Sequence, residues 1–178
     1  MRIIGGKLKG RRFDPPAKKW PTRPTTDISK EGLYNMLQSR VDIEDADFLD
    51  LFGGTGNHCY EMISRGARSA TYVDQFPGAY SFAKMCAKKF EIEDQMTFWR
   101  VDVRKFLKKT TSQYDIIFAG PPYGLDWLDE IPSMVFAAEV LKSDGLFILE
   151  HNPNHSFEHL DRFVEVRHYG QTHFSFFN

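Results

Sequence analysis

Short apolar runs alternate with longer amphipathic stretches over most of the chain. Phe48-Leu49-Asp50-Leu51-Phe52, Ala70-Thr71-Tyr72-Val73, Met96 to Val101, Tyr114-Asp115-Ile116-Ile117-Phe118-Ala119 and Gly145-Leu146-Phe147-Ile148-Leu149-Glu150 read as five buried parallel strands. Between them, Cys59 to Arg65 carries Tyr60, Met62 and Ile63 at helical spacing. Gly78 to Phe90 places Phe82, Met85 and Cys86 or Phe90 on one face and Lys84, Lys88 and Lys89 on another. Leu125 to Leu141 reads as one further helix. Strand and helix in strict alternation predict a doubly wound α/β sheet. The tail, from Phe163-Val164-Glu165-Val166 through Tyr169-Gly170 to Phe174-Ser175-Phe176-Phe177, predicts a terminal pair of strands.

The first 30 residues follow another pattern. Arg2-Ile3-Ile4 and Leu8 with Arg11-Arg12-Phe13 flank Gly5-Gly6 and predict a small hairpin. Pro15, Pro16 and Pro21 make the next stretch extended. Ile28, Leu33, Met36 and Leu37 then predict a helix from about Ser29, with Thr26 or Asp27 available to cap its free amides.

With 178 residues, 42% of them hydrophobic, the chain can bury one substantial core, and residues 1–178 are expected to form a single domain. No run of about 18 apolar residues marks a membrane span, and the amino terminus lacks the apolar stretch of a signal peptide. A cytoplasmic protein is expected. Cys59 and Cys86 have neither the number nor the spacing of a zinc site or disulfide framework, and both are expected in the core. The net charge of −1 conceals an asymmetry: nine basic against two acidic residues give the first 30 positions +7, leaving −8 for the remainder. Clustered Lys and Arg supply sequence-independent attraction to phosphate backbones, so Arg2, Lys7, Lys9, Arg11, Arg12 and Arg23 are candidate nucleic-acid contacts.

The candidate chemistry lies at the ends of the strands. Gly53-Gly54-Thr55-Gly56 after the first strand lets the backbone turn sharply against a ligand. The spacing is neither Gly-x-Gly-x-x-Gly nor a P-loop with its Lys-Ser/Thr, so a ligand without a pyrophosphate fits better. Asp74 ends the second strand about 20 residues further on, where a parallel-sheet nucleotide site needs an acceptor for ribose hydroxyls. Asp102 follows the third strand, as a ligand contact or a helix cap. Gly120-Pro121-Pro122-Tyr123 follows the fourth, and two prolines there direct the backbone rigidly out of the sheet and present an aromatic face.

These pieces resemble the RsmD family of class I methyltransferases nearly end to end: Met1-Arg2-Ile3-Ile4-Gly5-Gly6-Lys7 with Gly10-Arg11, Arg23-Pro24-Thr25-Thr26-Asp27, Leu49-Asp50-Leu51-Phe52 with Gly54-Thr55-Gly56, Ser64-Arg65-Gly66-Ala67, Tyr114-Asp115, Pro121-Pro122-Tyr123 and Tyr169-Gly170. The resemblance implies a Rossmann-like core over residues 23–178 with a basic hairpin over 1–22, and methylation of a guanine amino group in small-subunit ribosomal RNA. It implies S-adenosylmethionine as cofactor, held by Thr25, Asp50, Phe52, Gly53, Gly54, Gly56, Asp74, Gln75, Asp102 and Val103. It also implies that the substrate base meets Gly120, Pro121, Pro122 and Tyr123. A monomer without metal or membrane partner is expected, acting on ribosomal RNA or an assembling subunit.

Position 120 departs from the pattern, because family members read Asp or Asn before Pro-Pro-Tyr. A guanine amino nitrogen is a weak nucleophile whose lone pair is delocalised into the ring, and acceptors that bond its hydrogens help it turn toward a methyl donor. Gly120 removes one acceptor and leaves the Pro121 carbonyl. Loss of a positioned hydrogen-bonding group commonly costs about 10² to 10³ in rate. A slowed enzyme follows, or alternatively an impaired RNA-binding protein that keeps the methyltransferase fold and acts in ribosome assembly. On this reading Gly120→Asp should speed transfer.

Overall fold

The computed structural model describes residues 1–16, 20 and 27–178. Seven strands form one sheet: β1 (Asp47–Leu51), β2 (Ser69–Val73), β3 (Met96–Trp99), β4 (Tyr114–Ala119), β5 (Leu141–His151), β6 (Phe163–Tyr169) and β7 (Thr172–Phe177). They lie in the order β3-β2-β1-β4-β5-β7-β6. The first five are parallel, and β7 enters antiparallel between β5 and β6. The chain order reverses between β1 and β4, and in open α/β sheets a ligand crevice forms outside the carboxyl ends of the strands at such a point.

The period of two along each strand feeds two cores. Phe48, Tyr72, Ile116, Phe118, Ile148, Phe174 and Phe176 face one layer, built by helices α1 (Asp27–Leu37), α2 (Asn57–Ser64) and α3 (Pro77–Phe90). Leu49, Leu51, Val73, Ile117, Phe147, Leu149 and Phe177 face the other, where α4 (Val103–Leu107) and α5 (Ile131–Ala137) pack. Cys59 and Cys86 are both buried.

Three expectations change. The helix expected over Leu125 to Leu141 is a 3₁₀ turn at Leu128–Glu130 followed by α5, because Pro132 is tolerated only in a first turn. Glu139 at φ 52 ends that segment, and Leu141 already belongs to β5. On α3 the buried stripe is Ala79, Phe82, Ala83, Cys86, Ala87 and Phe90, so Met85 falls beyond its edge and is 57% exposed.

The expected amino-terminal hairpin shrinks to one bridge, Arg2 with Arg12, supported by Ile3 N donating to Arg11 O and Gly10 N to Ile3 O. Its middle donors bond α2 instead. Ile4 N and Gly5 N reach the Glu61 carboxylate, Lys7 N the Ser64 carbonyl and Leu8 N the Ser64 hydroxyl. Ile3, Leu8 and Phe13 sink into the first core, so this segment is part of the α2 layer rather than a detached arm.

Candidate active site

At the carboxyl edge of β1 and β4 lies a cavity of about 600 Å³. One wall is the loop after β1. Phe52 N and Gly53 N both donate to the Val73 carbonyl, at 3.1 and 2.9 Å, which pins the loop to β2. Phe52 adopts φ 77, a conformation costly for an aromatic residue and of the kind that clusters at ligand sites. A Cβ on Gly53 would stand 2.3 Å from the Tyr72 ring, so only glycine fits there.

Asp74 closes this wall. Its Oδ2 accepts from Gly54 N and its Oδ1 from Phe76 N, each at 2.8 Å. Each oxygen keeps lone-pair capacity for a hydroxyl donor. Burial raises its pKa, against the pull of those two amides. Gln75 continues the wall beyond Asp74.

Two expected cofactor contacts stand behind the wall rather than on it. Asp50 is buried under the loop, where Cys59 Sγ donates to its Oδ2 across 3.7 Å. Burial, reinforced by the charges of Asp74 and Glu150, pushes its carboxyl up to about 8. Asp50 is thus a neutral acid at pH 7 and supports the loop from below. Gly56, at φ 78, starts α2, and a Cβ there would collide with the Tyr60 hydroxyl, so its role is conformational. The expected Thr25 lies outside the described residues.

Asp102 and Val103 do line the cavity. The carboxylate of Asp102 caps α4, accepting from Arg104 N at 2.9 Å and from the Arg104 guanidinium at 3.1 and 2.9 Å. That guanidinium holds the Asp102 carboxyl below its usual range. Asp102 is therefore the helix cap and also faces the cavity. Arg104 in turn lies over Trp127, 4.7 Å from the ring centre, and Trp127 is 5.8 Å from Phe52. Phe52, Val103 and Trp127 thus make this part of the cavity wall apolar.

The opposite wall is Gly120 to Tyr123. Gly120 N donates to the Leu51 carbonyl at 3.3 Å, tying the segment to β1. Pro121 is buried, Pro122 exposed and Tyr123 half-buried. The Tyr123 hydroxyl donates to Glu150 Oε1 at 2.9 Å, with Thr172 Oγ1 at 3.4 Å. His58 stacks on Phe118 at 3.9 Å, and burial, with the Lys30 charge, pushes its imidazole down to about 3. It is neutral at pH 7.

Residues 1–178 match in full the family described as Conserved hypothetical protein 95. The chain belongs to the RsmD family of methyltransferases. It is similar to Ribosomal RNA small subunit methyltransferase D of Buchnera aphidicola subsp. Baizongia pistaciae, 32% identical over 150 residues that cover 84% of this chain and 75% of that protein. The protein of the same description from Escherichia coli K12 is 28% identical over 155 residues, covering 84% and 74%. Among solved structures, a hypothetical protein of Thermus thermophilus superposes with a TM-score of 0.87 at 25% identity, over 99% of this chain and 98% of that one.

In this RsmD chain Met1 reaches the cavity rim, while Lys7 lies at the far end of α2 beside Ser64. Arg2, Lys7, Lys9, Arg11 and Arg12 are exposed, and Arg23 lies outside the described residues. The positive surface continues onto α3, where Lys89 Nζ donates to Arg12 O and Lys84 and Lys88 are exposed. Among the described residues no three His, Cys, Asp or Glu side chains gather to hold a metal ion, and no helix is long and apolar enough to cross a membrane.

Sequence reasoning missed Glu150, Trp127, Arg104, His58 and Phe118 on the cavity wall. Glu150 was legible as an acid ending a strand, the signal that marked Asp74. Trp127 was hidden by reading its segment as one face of a long helix.

Proposed function

We propose that this chain methylates the exocyclic amino group of a guanine in small-subunit ribosomal RNA, with S-adenosylmethionine as methyl donor. The observation that carries this reading is the cavity in which the glycine loop and Asp74 face the Gly120 to Tyr123 segment. A nucleoside-bearing donor and a base have one space in which to meet.

The residues fit the cofactor. Asp74 would accept from its ribose hydroxyls, and the apolar wall of Phe52, Val103 and Trp127 would lie against its adenine. When bound, S-adenosylmethionine would supply a methyl carbon on a sulfonium; the amino nitrogen would form the new N–C bond as the C–S electron pair stays on sulfur, and one N–H proton would leave to solvent. The protein's part is positioning. The Pro121 carbonyl and the Tyr123 ring would orient a base drawn out of its stack, as enzymes acting on base edges require. His58, neutral and stacked on Phe118, walls the site without adding charge. The basic surface from Arg2 to Arg12 would hold the phosphates.

The test combines calorimetry with methyl transfer. S-adenosylmethionine should bind the isolated protein, and labelled methyl should appear as N2-methylguanosine in digests of unmodified small-subunit RNA, free or assembled. No cofactor binding by a folded protein, or label only on another RNA or a ring nitrogen, would refute the reading. Binding of both cofactor and RNA without transfer would favour the impaired RNA-binding protein.

A further inference from the structure

The cavity wall facing the substrate holds a carboxylate that the motif after β4 does not include. Glu150 ends the central part of β5, next to β4 in the sheet, and its side chain is buried at the cavity edge. A Cβ built on Gly120 would lie 4.0 Å from Glu150 Oε2. A carboxylate carried on residue 120 would hold its own oxygens roughly 2.4 Å from that Cβ, by ordinary bond lengths. Glu150 Oε2 therefore reaches the same corner of the cavity from the neighbouring strand. A Cβ at 120 would thus already be in van der Waals contact with that oxygen, and glycine leaves this space empty.

We propose that Glu150 is the side-chain acceptor for the substrate's exocyclic amino group, and that glycine at position 120 opens its Oε2 to the cavity. The inference rests on the reading of this site as an amino-group methyltransferase centre. The Tyr123 hydroxyl, bonded to Oε1, fixes the carboxylate's direction, and Thr172 lies within reach of the same hydroxyl. A carboxylate has about four acceptor positions on two oxygens, so it can accept an amino hydrogen in addition to the other bonds it makes. With the Pro121 carbonyl as second acceptor, both amino hydrogens are bonded and the nitrogen lone pair is left facing the methyl donor. Gly120 then marks a relocated acceptor rather than a lost one.

The experiment reads binding as well as turnover. The guanine methylated by the parent protein is first located by mass mapping of unmodified small-subunit RNA. Two labelled fragments spanning it are then compared, one with guanine and one with hypoxanthine, which lacks the amino group. Affinities are measured with S-adenosylhomocysteine present, so no transfer intervenes. The parent should prefer guanine by roughly tenfold, the scale of one hydrogen bond whose loss leaves a buried acceptor unmatched. Glu150→Ala should erase the preference, and Glu150→Gln, which keeps shape and an acceptor oxygen, should retain part of it. Gly120→Asp placed in the Glu150→Ala protein should restore it by returning an acceptor to the same corner. Should Glu150→Ala fail to fold, the Glu150→Gln comparison carries the test. A Glu150→Ala protein of parental melting temperature that still prefers guanine would overturn the assignment while leaving the methyltransferase reading intact. A parent that methylates no RNA would overturn both.

Discussion

Lys30 Nζ stands 3.4 Å from Glu61 Oε2, and both side chains are buried. The pair joins three segments at the cavity rim. Lys30 Nζ also donates to Arg2 O at 2.6 Å and to Asn57 Oδ1 at 2.8 Å, while Glu61 accepts from Ile4 N, Gly5 N and Arg65 Nε. One buried ion pair thus fixes the amino-terminal segment against the start of α2, where the cavity begins.

Without Lys30, Glu61 keeps the Arg65 guanidinium and two backbone donors, while Arg2 O and Asn57 Oδ1 lose the ammonium donor, and leaving such buried acceptors unmatched commonly costs about 1–3 kcal/mol. Lys30→Met should lower unfolding free energy by that order in urea titrations and expose Lys7 and Lys9 to trypsin. A loss below about 1 kcal/mol, with the segment still protected, would show that Ile3, Leu8 and Phe13 hold it without the ion pair.

Asp50 gives the protein a pH dependence of stability. Its folded pKa, about 8, lies above the ordinary carboxyl value of 3.8 because it is buried. The folded state therefore keeps a proton that the unfolded state has released, and this contribution is full below about pH 4 and is lost as pH rises toward 8. The slope is at most ~1.4 kcal/mol per pH unit in that window. Asp50→Asn mimics the neutral form and should remove the slope, leaving the variant more stable than the parent at pH 8. Melting curves of both proteins from pH 5 to 8 that run parallel would contradict the assignment.

The sheet was legible because each strand is a short apolar run bounded by glycine or an acid, and the order of runs dictates a parallel sheet with a reversal between β1 and β4. The cavity wall was legible for the same reason, since Gly53, Gly54, Asp74 and Asp102 sit at fixed offsets from those runs. What escaped depends on pairing across the sheet. Glu150 meets Tyr123 only because β5 lies beside β4, and nothing local to either residue records that neighbour. The hairpin was over-read because local pattern cannot show that Glu61 and Ser64 compete for its backbone donors. Asp50 came as a cofactor contact with the family resemblance, and its burial beneath the loop depends on the packing of β1 against α2, which local sequence does not record.

Phosphate contacts should govern RNA affinity. Lys9, Arg11 and Arg12 are exposed, with only Arg11 Nη1 bonded to the body, at Lys89 O, among the hydrogen bonds described, and α3 extends the surface with Lys84, Lys88 and Lys89. Each residue that touches a phosphate should reduce the log–log salt slope by about 0.7 to 0.9 when replaced by alanine. Reversing Lys9, Arg11 and Arg12 together should weaken binding to all RNA sequences alike, measured by filter binding across a salt series. Unchanged affinity would make this surface a solvated edge without a binding role.

Position 120 carries the sharpest contrast, because the sequence pattern alone suggests that Gly120→Asp would restore a missing acceptor. The structure argues otherwise. A Cβ there meets Phe118 Cε1 at 3.0 Å, tighter than ordinary contact, and Phe118 is buried and stacked against His58, so the ring has little room to yield. The new carboxylate would then share a corner with Glu150, and two carboxylates in one site disfavour their joint ionisation. Gly120→Asp should give a single-turnover rate no higher than the parent's, with the loss easing at low pH as one of the two acids takes up a proton. Gly120→Asn adds the same bulk without the charge, and should be faster than Gly120→Asp at neutral pH. A Gly120→Asp protein that folds, binds cofactor and RNA, and transfers methyl tenfold faster than the parent would show that the acceptor really is missing and that Glu150 does not supply it.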